Sequence, residues 1–271
     1  MNTNLTQTQI ETYQANGFLV LENFLDATEL EEWRAVVDEA VTGRGRVRIP
    51  GHGEEADNDS YYNNVFIQRV NLWQSNEQMR KLMLDPRLGK LAATLAGVDG
   101  IRIWHDQALM KQPWANPTGW HLDNPYWSFH SPNAITIWVA LDDVTLENGC
   151  MWFIPGSQKT ATYDNVAIGQ NIGDLFKVYP QWAKTAAIPA PMKAGSCSFH
   201  NGLVAHAAGP NMTPGWRRAM TCAYMPDGST FNGKRNILRE EQLAKLKVGD
   251  LLEDDAQTPL IYHPTKACVT A

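Results

Sequence analysis

A change of pattern near residue 100 is the feature that most constrains the fold of this 271-residue chain. Beyond that point, short runs rich in β-branched and aromatic residues alternate with turn sequences such as ENG, GPNMTPG and PDGS. Such runs predict strands joined by turns, because Gly, Pro and Asn adopt the backbone conformations that turns need. The runs are IRIWHDQALMK, AITIWVALDDV, CMWFIPGS, GSCSFHNGLVAHA and RRAMTCAYMP. An array of short strands predicts a sandwich or a barrel.

The first third of the chain has helical patterning instead. Thr6 or Thr8 can cap a first helix that ends at Gly17, and GFLVLENFL then predicts a short strand. Asp26 followed by Glu29 forms a capping-box pattern at the start of a second helix. Two further helical stretches lie on either side of a proline before residue 98. The fold class predicted from these elements is α+β and mainly β.

The chain is predicted to form one domain with three parts. Residues from about 1 to 98 form a helical part that frames the core, and the β core covers about 99–227. A C-terminal extension with one short helix covers about 228–271. Within the first part, residues 44–62 are Gly-rich and have no clear period. They include three arginines, His52 and two tyrosines, and a loop of this length inside a domain is often a functional lid. An ordinary solvated loop fits the pattern equally well.

Composition and charge exclude several classes of protein. The net charge of −6 disfavours a nucleic-acid-binding surface, which needs basic patches. No apolar run approaches the roughly 20 residues of a membrane helix, and the N-terminus lacks the pattern of a signal peptide. The four cysteines show no metal-binding spacing and are expected to be free thiols. We expect a cytoplasmic protein that binds neither nucleic acid nor membrane, and the sequence is compatible with a homo-oligomer.

The stretch GWHLDNPYW holds the first candidate metal ligands, His121 and Asp123. On a strand, residues two apart point to the same side, so both side chains can face one interior. Two imidazoles and one carboxylate with other positions open suit a non-haem Fe(II) oxygenase. Because His-x-Asp pairs also arise by chance, the chemistry depends on whether a third ligand lies nearby.

Two of the remaining histidines are suitable as that third ligand. His200 and His206 lie in one predicted β segment with the same parity, so parity does not choose between them. A turn and then Arg217 and Arg218 follow His206. A hairpin there would place an imidazole and an arginine on neighbouring strands that face the same interior, which favours His206. The other candidates are His52, His105, His130 and His263.

An arginine deep inside such an interior would suit a dicarboxylate. The guanidinium group binds a carboxylate with two parallel hydrogen bonds and a permanent charge. A cosubstrate such as 2-oxoglutarate has a keto-acid end that chelates a metal and a distal carboxylate that an arginine can bind. The alternative for either arginine is a surface salt bridge, and that fits Arg218 better than Arg217.

At these residues the chain resembles the phytanoyl-CoA dioxygenase family of Fe(II)- and 2-oxoglutarate-dependent oxygenases. The similarity runs from YQANGFLVLENFLDATEL through LMKQPWANPTGWHLD to HAAGPNMTPGWRRAMTCAYM, and is strongest at WVALDDVTLENGCMWFIPGSQ. It implies a double-stranded β-helix, the jelly roll of cupin-like barrels, with the N-terminal helices packed outside. It also implies that iron binds to His121, Asp123 and His206, and that Arg217 binds the distal carboxylate of 2-oxoglutarate.

The resemblance suggests further residues of the same site. Gln107 and Trp138 are expected to line the 2-oxoglutarate pocket, although core packing is the alternative for Trp138. A hydroxyl residue often lies two positions after the distal histidine in this family; here it is Ala208, so one hydrogen bond to the cosubstrate is expected to be missing. The candidates for the substrate side are Asn124, Tyr126, Trp127 and His105.

The reaction implied is the oxidation of a C–H bond of a small-molecule substrate by O2, most simply a hydroxylation. Succinate and CO2 would be the co-products, and demethylation, desaturation or ring chemistry would be equally compatible with the iron site. One alternative is a cupin-like barrel that uses Zn or Mn as a Lewis acid. Another is a small-molecule binding protein without turnover. Arg217 disfavours the first alternative, and the intact ligand set disfavours the second.

Overall fold

The structure is a computed structural model that describes residues 1–44 and 60–270, with the side chains of residues 60 and 62 excluded. Most of the predicted lid over 44–62, with His52, lies outside the described residues. Seven helices occupy the described chain: α1 Gln7–Asn16, α2 Ala27–Arg44, α3 Ser60–Asn63, α4 Glu77–Met83, α5 Pro86–Ala96, α6 Leu175–Val178 and α7 Glu240–Leu243. None of the helices in 1–44 and 60–270 is both long enough and apolar enough to cross a membrane.

Eleven strands lie between and after these helices in the described residues. They are β1 Phe18–Leu21, β2 Ile67–Val70, β3 Ile101–Lys111, β4 Thr118–His121, β5 Ile135–Ala140, β6 Met151–Phe153, β7 Ile188–Ala190, β8 Cys197–Asn201, β9 His206–Ala208, β10 Arg217–Pro226 and β11 Leu260–Tyr262. Each of the five β-rich runs of the sequence contains at least one of them. The chain is therefore mainly β beyond residue 100, as predicted.

The N-terminal helices begin and end at the residues that the sequence predicts. Thr6, the first of the two candidates, caps α1: its hydroxyl accepts from the backbone N–H of Gln9 at 3.2 Å, and the Gln9 side chain accepts from Thr6 N–H at 2.8 Å. Gly17 ends α1 with a φ of 82°, which glycine adopts without steric cost. At α2, Asp26 Oδ1 accepts from Glu29 N–H at 2.9 Å.

The strands form two antiparallel sheets. The larger has the order β1-β8-β5-β10-β3-β11, with β2 also paired to β3, and the smaller has the order β4-β9-β6-β7. Apolar side chains of both sheets, among them Phe18, Trp138 and Phe153, share one buried cluster, so the sheets pack face to face. Within the described residues the strands form two facing sheets, as the predicted jelly roll requires, and these sheets do not close into a barrel.

The outer face of the larger sheet is covered by helices. Alternate residues of its central strands, such as Ile137 on β5 and Met220 on β10, belong to one core with Val37 of α2, Met79 of α4 and Leu88 of α5. The intervening residues therefore face the smaller sheet, because side chains alternate along a strand. The helical framing thus leaves the inner face of the larger sheet free to contribute to a site between the sheets.

Two predicted features of the late β region differ in the structure. His200 lies on β8 of the larger sheet and His206 begins β9 of the smaller sheet, so the chain crosses between sheets within a segment that was predicted to be one run. Likewise β9 and β10 belong to different sheets and do not form the predicted hairpin. His206 and Arg217 therefore face the same interior from opposite sheets. The four cysteines, Cys150, Cys197, Cys222 and Cys268, are free thiols, as predicted.

Candidate metal and cosubstrate site

Three side chains converge between the sheets in the way that the His-x-Asp pattern suggests. The ligand atoms of His121, Asp123 and His206 all lie within 4.8 Å of one another. Asp123 Oδ1 is 3.5 Å from His121 Nε2 and 3.6 Å from His206 Nε2. Two ligand atoms that each lie about 2.1 Å from one metal are roughly 3–3.5 Å apart. The imidazole–carboxylate distances therefore suit a shared metal ion with little rearrangement.

The backbone explains how the three residues meet. His121, the last residue of β4, pairs directly with His206, the first residue of β9. Asp123 lies beyond the end of β4, with a helical backbone conformation, and opens the 3-10 turn Asn124–Tyr126. The strand-parity argument for Asp123 was therefore wrong, because a turn and not a strand directs its carboxylate. The backbone N–H groups of Asp123 and Asn124 both donate to the carbonyl of Gly202, at 3.0 and 2.9 Å.

Backbone carbonyls determine which nitrogen of each imidazole faces the centre. His121 Nδ1 lies 2.9 Å from the carbonyl oxygen of Gly119, and His206 Nδ1 lies 3.0 Å from that of Val204. Since a carbonyl only accepts, each Nδ1 must carry the hydrogen. The Nε2 lone pairs therefore point toward Asp123 Oδ1. This is the arrangement in which metal-binding histidines are commonly held.

The protonation states also suit metal binding. Burial by itself raises the pKa of the Asp123 carboxyl group, but the neighbouring His206, His121 and His200 together lower it well below its ordinary value. Burial, assisted by His121, lowers the pKa of His206 to about 3. At neutral pH the carboxylate is ionised and the His206 imidazole is neutral, which are the forms that coordinate a metal.

A cavity of about 60 Å³ extends from these three residues between the sheets. Gln107 and Trp138 line it, as the resemblance implied, and Arg217 lies in its wall. Thr118 and Ala208, which are paired residues on β4 and β9, contribute to the side formed by the smaller sheet. The cavity therefore joins the candidate metal ligands to the candidate carboxylate anchor.

Arg217 is the buried cation of this cavity. Its side chain is almost fully buried, and its guanidinium carbon lies 5.1 Å from the centroid of the Trp138 ring. Burial lowers its pKa to about 10, so it stays charged at neutral pH. Nε and Nη1 are buried and have no hydrogen-bond partner within 1–44 and 60–270. A buried charged donor without a partner is costly, and a bound carboxylate would satisfy it.

Arg218, the next residue, has the structural role that was predicted for it. Its guanidinium group donates to Asp142 at 3.0 and 2.8 Å and to Asp38 at 2.8 Å. These hydrogen bonds raise its pKa, chiefly through Asp142. Arg218 thus ties the end of β10 to helix α2, whereas Arg217 points into the cavity.

Strand β3 contributes two side chains to the cavity and one buried lysine beside it. Gln107 and Leu109 line the cavity, and the Gln107 side-chain carbonyl accepts from Gln68 Nε2 at 2.5 Å. Lys111 is fully buried beside Arg217, its register partner, and donates to the carbonyls of Val65 and Asn116. Burial, with a smaller effect from Arg217, lowers the Lys111 pKa to about 7.

None of the four substrate-side candidates is among the described residues that line this cavity. Asn124 is fully buried and stabilises its own turn, donating to Phe129 O and accepting from Ser131 N–H. Trp127 packs in an apolar cluster, with its ring edge-on to His105 at 6.0 Å. Tyr126 is partly exposed and donates to the carbonyl of Val166. A role of these four in substrate contact stays a prediction.

Two features that support Asp123 were not anticipated from the sequence. The first is a pair of side chains on the larger sheet, His200 and Thr136, which approach Asp123 Oδ2. The second is Asn165, whose side chain accepts from the N–H of Leu122 at 3.3 Å and donates to the Leu122 carbonyl at 2.7 Å. The only sequence signal for either was the parity that His200 shares with His206, and it was used solely to weigh His200 as a ligand.

Comparison with known proteins places this geometry in a family. The sequence model of the phytanoyl-CoA dioxygenase (PhyH) family matches residues 13–219. The dioxygenase lolE1 of Epichloe uncinata is 30% identical over 226 residues, which cover 81% of this chain and 82% of that protein. The crystal structure of SnoK, a non-haem α-ketoglutarate-dependent carbocyclase from nogalamycin biosynthesis, superposes with a TM-score of 0.76 at 28% identity, covering 95% of this chain and 96% of SnoK.

A second solved structure shows the same fold with ligands. The epimerase SnoN, in complex with Fe3+, α-ketoglutarate and nogalamycin RO, is 26% identical and superposes with a TM-score of 0.73 over 94% of this chain and 98% of SnoN. The fold and the His–Asp–His cluster together define a non-haem iron, 2-oxoglutarate-dependent oxygenase. The chain belongs to the phytanoyl-CoA dioxygenase family.

Proposed function

We propose that the protein uses Fe(II), 2-oxoglutarate and O2 to oxidise a C–H bond of a small-molecule substrate, most simply by hydroxylation. His121, Asp123 and His206 would hold the iron. The observation that carries this proposal is the cavity itself, which joins the His–Asp–His cluster to the buried guanidinium group of Arg217. One end of the cavity suits a metal, and the other suits a carboxylate.

Different residues of the cavity would bind different parts of 2-oxoglutarate. Arg217 would bind the distal carboxylate, because its Nε and Nη1 otherwise have no acceptor in the described structure. Trp138 contacts the guanidinium face and restricts its orientation. Ala208 has no hydroxyl to donate to 2-oxoglutarate, but the hydroxyl of Thr118 could replace it. Thr118 lies on the neighbouring strand β4, pairs with Ala208 and lines the same cavity.

The chemistry of this enzyme class requires a metal with open coordination positions and a dry site. Bound Fe(II) would supply O2 activation at the expense of 2-oxoglutarate, with succinate and CO2 as co-products. The protein side chains keep Asp123 ionised, present the Nε2 atoms of His121 and His206, and exclude water through the apolar walls around Leu109 and Trp138.

We further propose that the chain acts as one catalytic domain. The C-terminal extension packs against the β core: Phe231, Ile237 and Leu252 share an apolar cluster with Trp104 of β3 and with Trp127. This contact supports a role of the extension in positioning the loop after Asp123. The substrate is taken to be a small molecule, as for the related biosynthetic enzymes.

Anaerobic visible spectroscopy tests the proposed cosubstrate binding. Addition of Fe(II) and then 2-oxoglutarate to metal-free protein should produce a weak charge-transfer band from the chelated keto acid. The His206→Ala variant is the control for the metal, and Arg217→Ala is the control for the distal carboxylate. Iron bound normally without such a band would favour the Lewis-acid alternative. A protein that binds no iron would contradict the proposed function.

A further inference from the structure

Two buried side chains of the larger sheet contact the oxygen of Asp123 that faces away from the ligand histidines. His200 Nε2 lies 3.2 Å from Asp123 Oδ2, and the Thr136 hydroxyl donates to the same oxygen at 3.4 Å. His200 on β8 and Thr136 on β5 are direct register partners. The contact therefore crosses from one sheet to the other, because Asp123 follows β4 of the smaller sheet.

The two oxygens of Asp123 consequently have different surroundings. Oδ1 is the atom that lies 3.5 and 3.6 Å from the Nε2 atoms of His121 and His206. Oδ2 has His200 and Thr136 as neighbours. An ionised carboxylate only accepts hydrogen bonds, so His200 Nε2 must carry a hydrogen to bind Oδ2. This tautomer leaves Nδ1 of His200 as an acceptor, and Nδ1 is buried without a hydrogen-bond partner in the described chain.

We propose that His200, together with Thr136, is a positioning residue that makes Asp123 a one-oxygen metal ligand. The pair occupies Oδ2 and leaves Oδ1 directed at the metal. This inference rests on the proposed iron site and adds to it a residue that determines how its carboxylate coordinates. His200 is thereby excluded as an iron ligand, although its position in the sequence made it a candidate.

The number of coordination positions explains why one-oxygen binding matters. An octahedral ion has six positions, of which the three protein ligands occupy three. A chelating keto acid needs two of the others and O2 needs the last. If Asp123 turned so that both oxygens bound the metal, it would compete with 2-oxoglutarate or O2. Groups that hold Oδ2 prevent this rotation, and partners of metal ligands commonly change metal affinity 10- to 100-fold.

His200 also packs against other rings, so the test must separate packing from hydrogen bonding. Its ring centroid is 4.7 Å from that of His206 and 5.7 Å from that of Phe153. His200→Leu removes the donor and retains an apolar side chain. His200→Gln retains an N–H near the position of Nε2. Thr136→Val removes the hydroxyl with almost no change of shape. Ser198→Ala is the matched control, because Ser198 lies on the same face of β8 and its hydroxyl has no described partner.

Co(II) is a suitable probe because its visible spectrum reports coordination number and geometry without turnover. Co(II) should bind His200→Leu roughly 10- to 100-fold more weakly than wild type, with an altered band intensity, and Thr136→Val should show a smaller change in the same direction. At saturating Co(II), both variants should bind 2-oxoglutarate more weakly. His200→Gln should recover most of the spectrum, and Ser198→Ala should match wild type.

The outcomes separate this inference from the iron site on which it rests. If wild type bound no Co(II), or if His206→Ala bound it as tightly as wild type, the iron site would be wrong. If wild type bound Co(II) but His200→Leu and Thr136→Val had the spectrum and 2-oxoglutarate affinity of Ser198→Ala, the positioning role alone would be wrong. If His200→Leu failed to fold, Thr136→Val and His200→Gln would still decide between these results.

Discussion

The two sheets contribute different parts of the candidate site. The smaller sheet and the loop after β4 supply every proposed metal ligand: His121, Asp123 and His206. The larger sheet supplies none of them, but it supplies Arg217 and Trp138, the residues proposed to bind 2-oxoglutarate, and the pair that contacts Asp123 Oδ2. Metal binding and ligand positioning are thus separated between two layers that approach each other across the cavity.

The two sheets also differ in the elements that pack against their outer faces. Helices α2, α4 and α5 cover the outer face of the larger sheet with a continuous apolar core. The smaller sheet is backed by the segment between β6 and β7, which includes the short helix α6. In this segment Leu175, Tyr179 and Trp182 pack against Leu122 and Ile154. Strands backed by a packed helical layer hold their side chains more rigidly than short strands under a loop. The layer with helical support therefore positions groups, whereas the less extensive layer supplies the proposed metal ligands.

Removal of a ligand from the smaller sheet should have the largest effect. His206→Ala should reduce Fe(II) affinity by more than about 100-fold, since loss of a ligand exceeds the loss of its outer partners. Turnover of 2-oxoglutarate should disappear with the metal. Isothermal titration with Fe(II) under anaerobic conditions measures the affinity, and succinate formation measures turnover. If activity survived in His206→Ala and was lost in His200→Ala, the assignment of the third ligand would have to be exchanged.

Removal of the cation from the larger sheet should leave the metal bound and weaken 2-oxoglutarate. Arg217→Ala deletes a charged, buried donor pair, and such truncations commonly cost about 2–5 kcal/mol of binding. The 2-oxoglutarate concentration needed for half-maximal turnover should rise accordingly, with little change in Fe(II) affinity. Arg218→Ala is the matched control, because its guanidinium group binds Asp142 and Asp38 instead. Equal effects of the two variants would place the carboxylate anchor elsewhere.

The sequence predicted the chemistry of both layers better than their arrangement. His121 and Asp123 were candidates because of their residue types and close spacing. The resemblance to the family, and not spacing, implied the choice of His206 and the role of Arg217, because β9 and β10 belong to different sheets and do not form the hairpin that favoured His206. The crossing between β8 and β9 was missed although Asn201 and Gly202 form an Asn-Gly pair, which is a strong turn signal. In the structure the N–H of Val204 donates to the carbonyl of Asn201 at 3.0 Å, so a turn does divide the run. The alternation of side chains alone does not distinguish one long strand from two short strands that belong to different sheets.

Contacts between strands that are distant in sequence could not be predicted from the sequence either. His200 and Thr136 meet because β8 pairs with β5 in one register, which no local pattern specifies. The end of β4 at His121 was missed for a related reason: the turn that carries Asp123 depends on the carbonyl of Gly202, far along the chain. The jelly roll that the resemblance implied is present as two facing sheets in the described residues, and only its closure into a barrel is not seen.

The helix-covered face of the larger sheet should produce a pH-dependent stability. Asp106 on β3 is fully buried and accepts from the N–H groups of Leu72 and Trp73 at 2.7 and 2.9 Å. Burial raises its pKa from 3.8 to about 7, although these hydrogen bonds oppose the rise. Because the folded pKa is the higher one, the folded state retains this proton between pH 3.8 and about 7. The stability from Asp106 is complete below that window and is lost as the pH rises through it.

The Asp106→Asn variant measures that contribution. Its unfolding free energy should decline less than that of wild type between pH 4 and 7, with a difference of up to roughly 2–4 kcal/mol across the window. Denaturant unfolding of both proteins at several pH values provides the comparison. Parallel pH profiles would show that folding leaves the pKa of Asp106 unchanged, because the N–H groups of Leu72 and Trp73 balance the effect of its burial.

The smallest effect is expected for Asn165, which lies between β6 and β7 and holds the backbone between two proposed ligands. Its amide group bonds to both the N–H and the carbonyl of Leu122, the residue between His121 and Asp123. Asn165→Ala should weaken Co(II) binding by less than about 10-fold, because the backbone keeps its bonds to Gly202 and loses about one to two net hydrogen bonds. Asn165→Asp is the conservative comparison, since it retains an acceptor for Leu122 N–H and loses the donor. If Asn165→Ala lost as much Co(II) affinity as His200→Leu, the segment between β6 and β7, and not the larger sheet, would position Asp123.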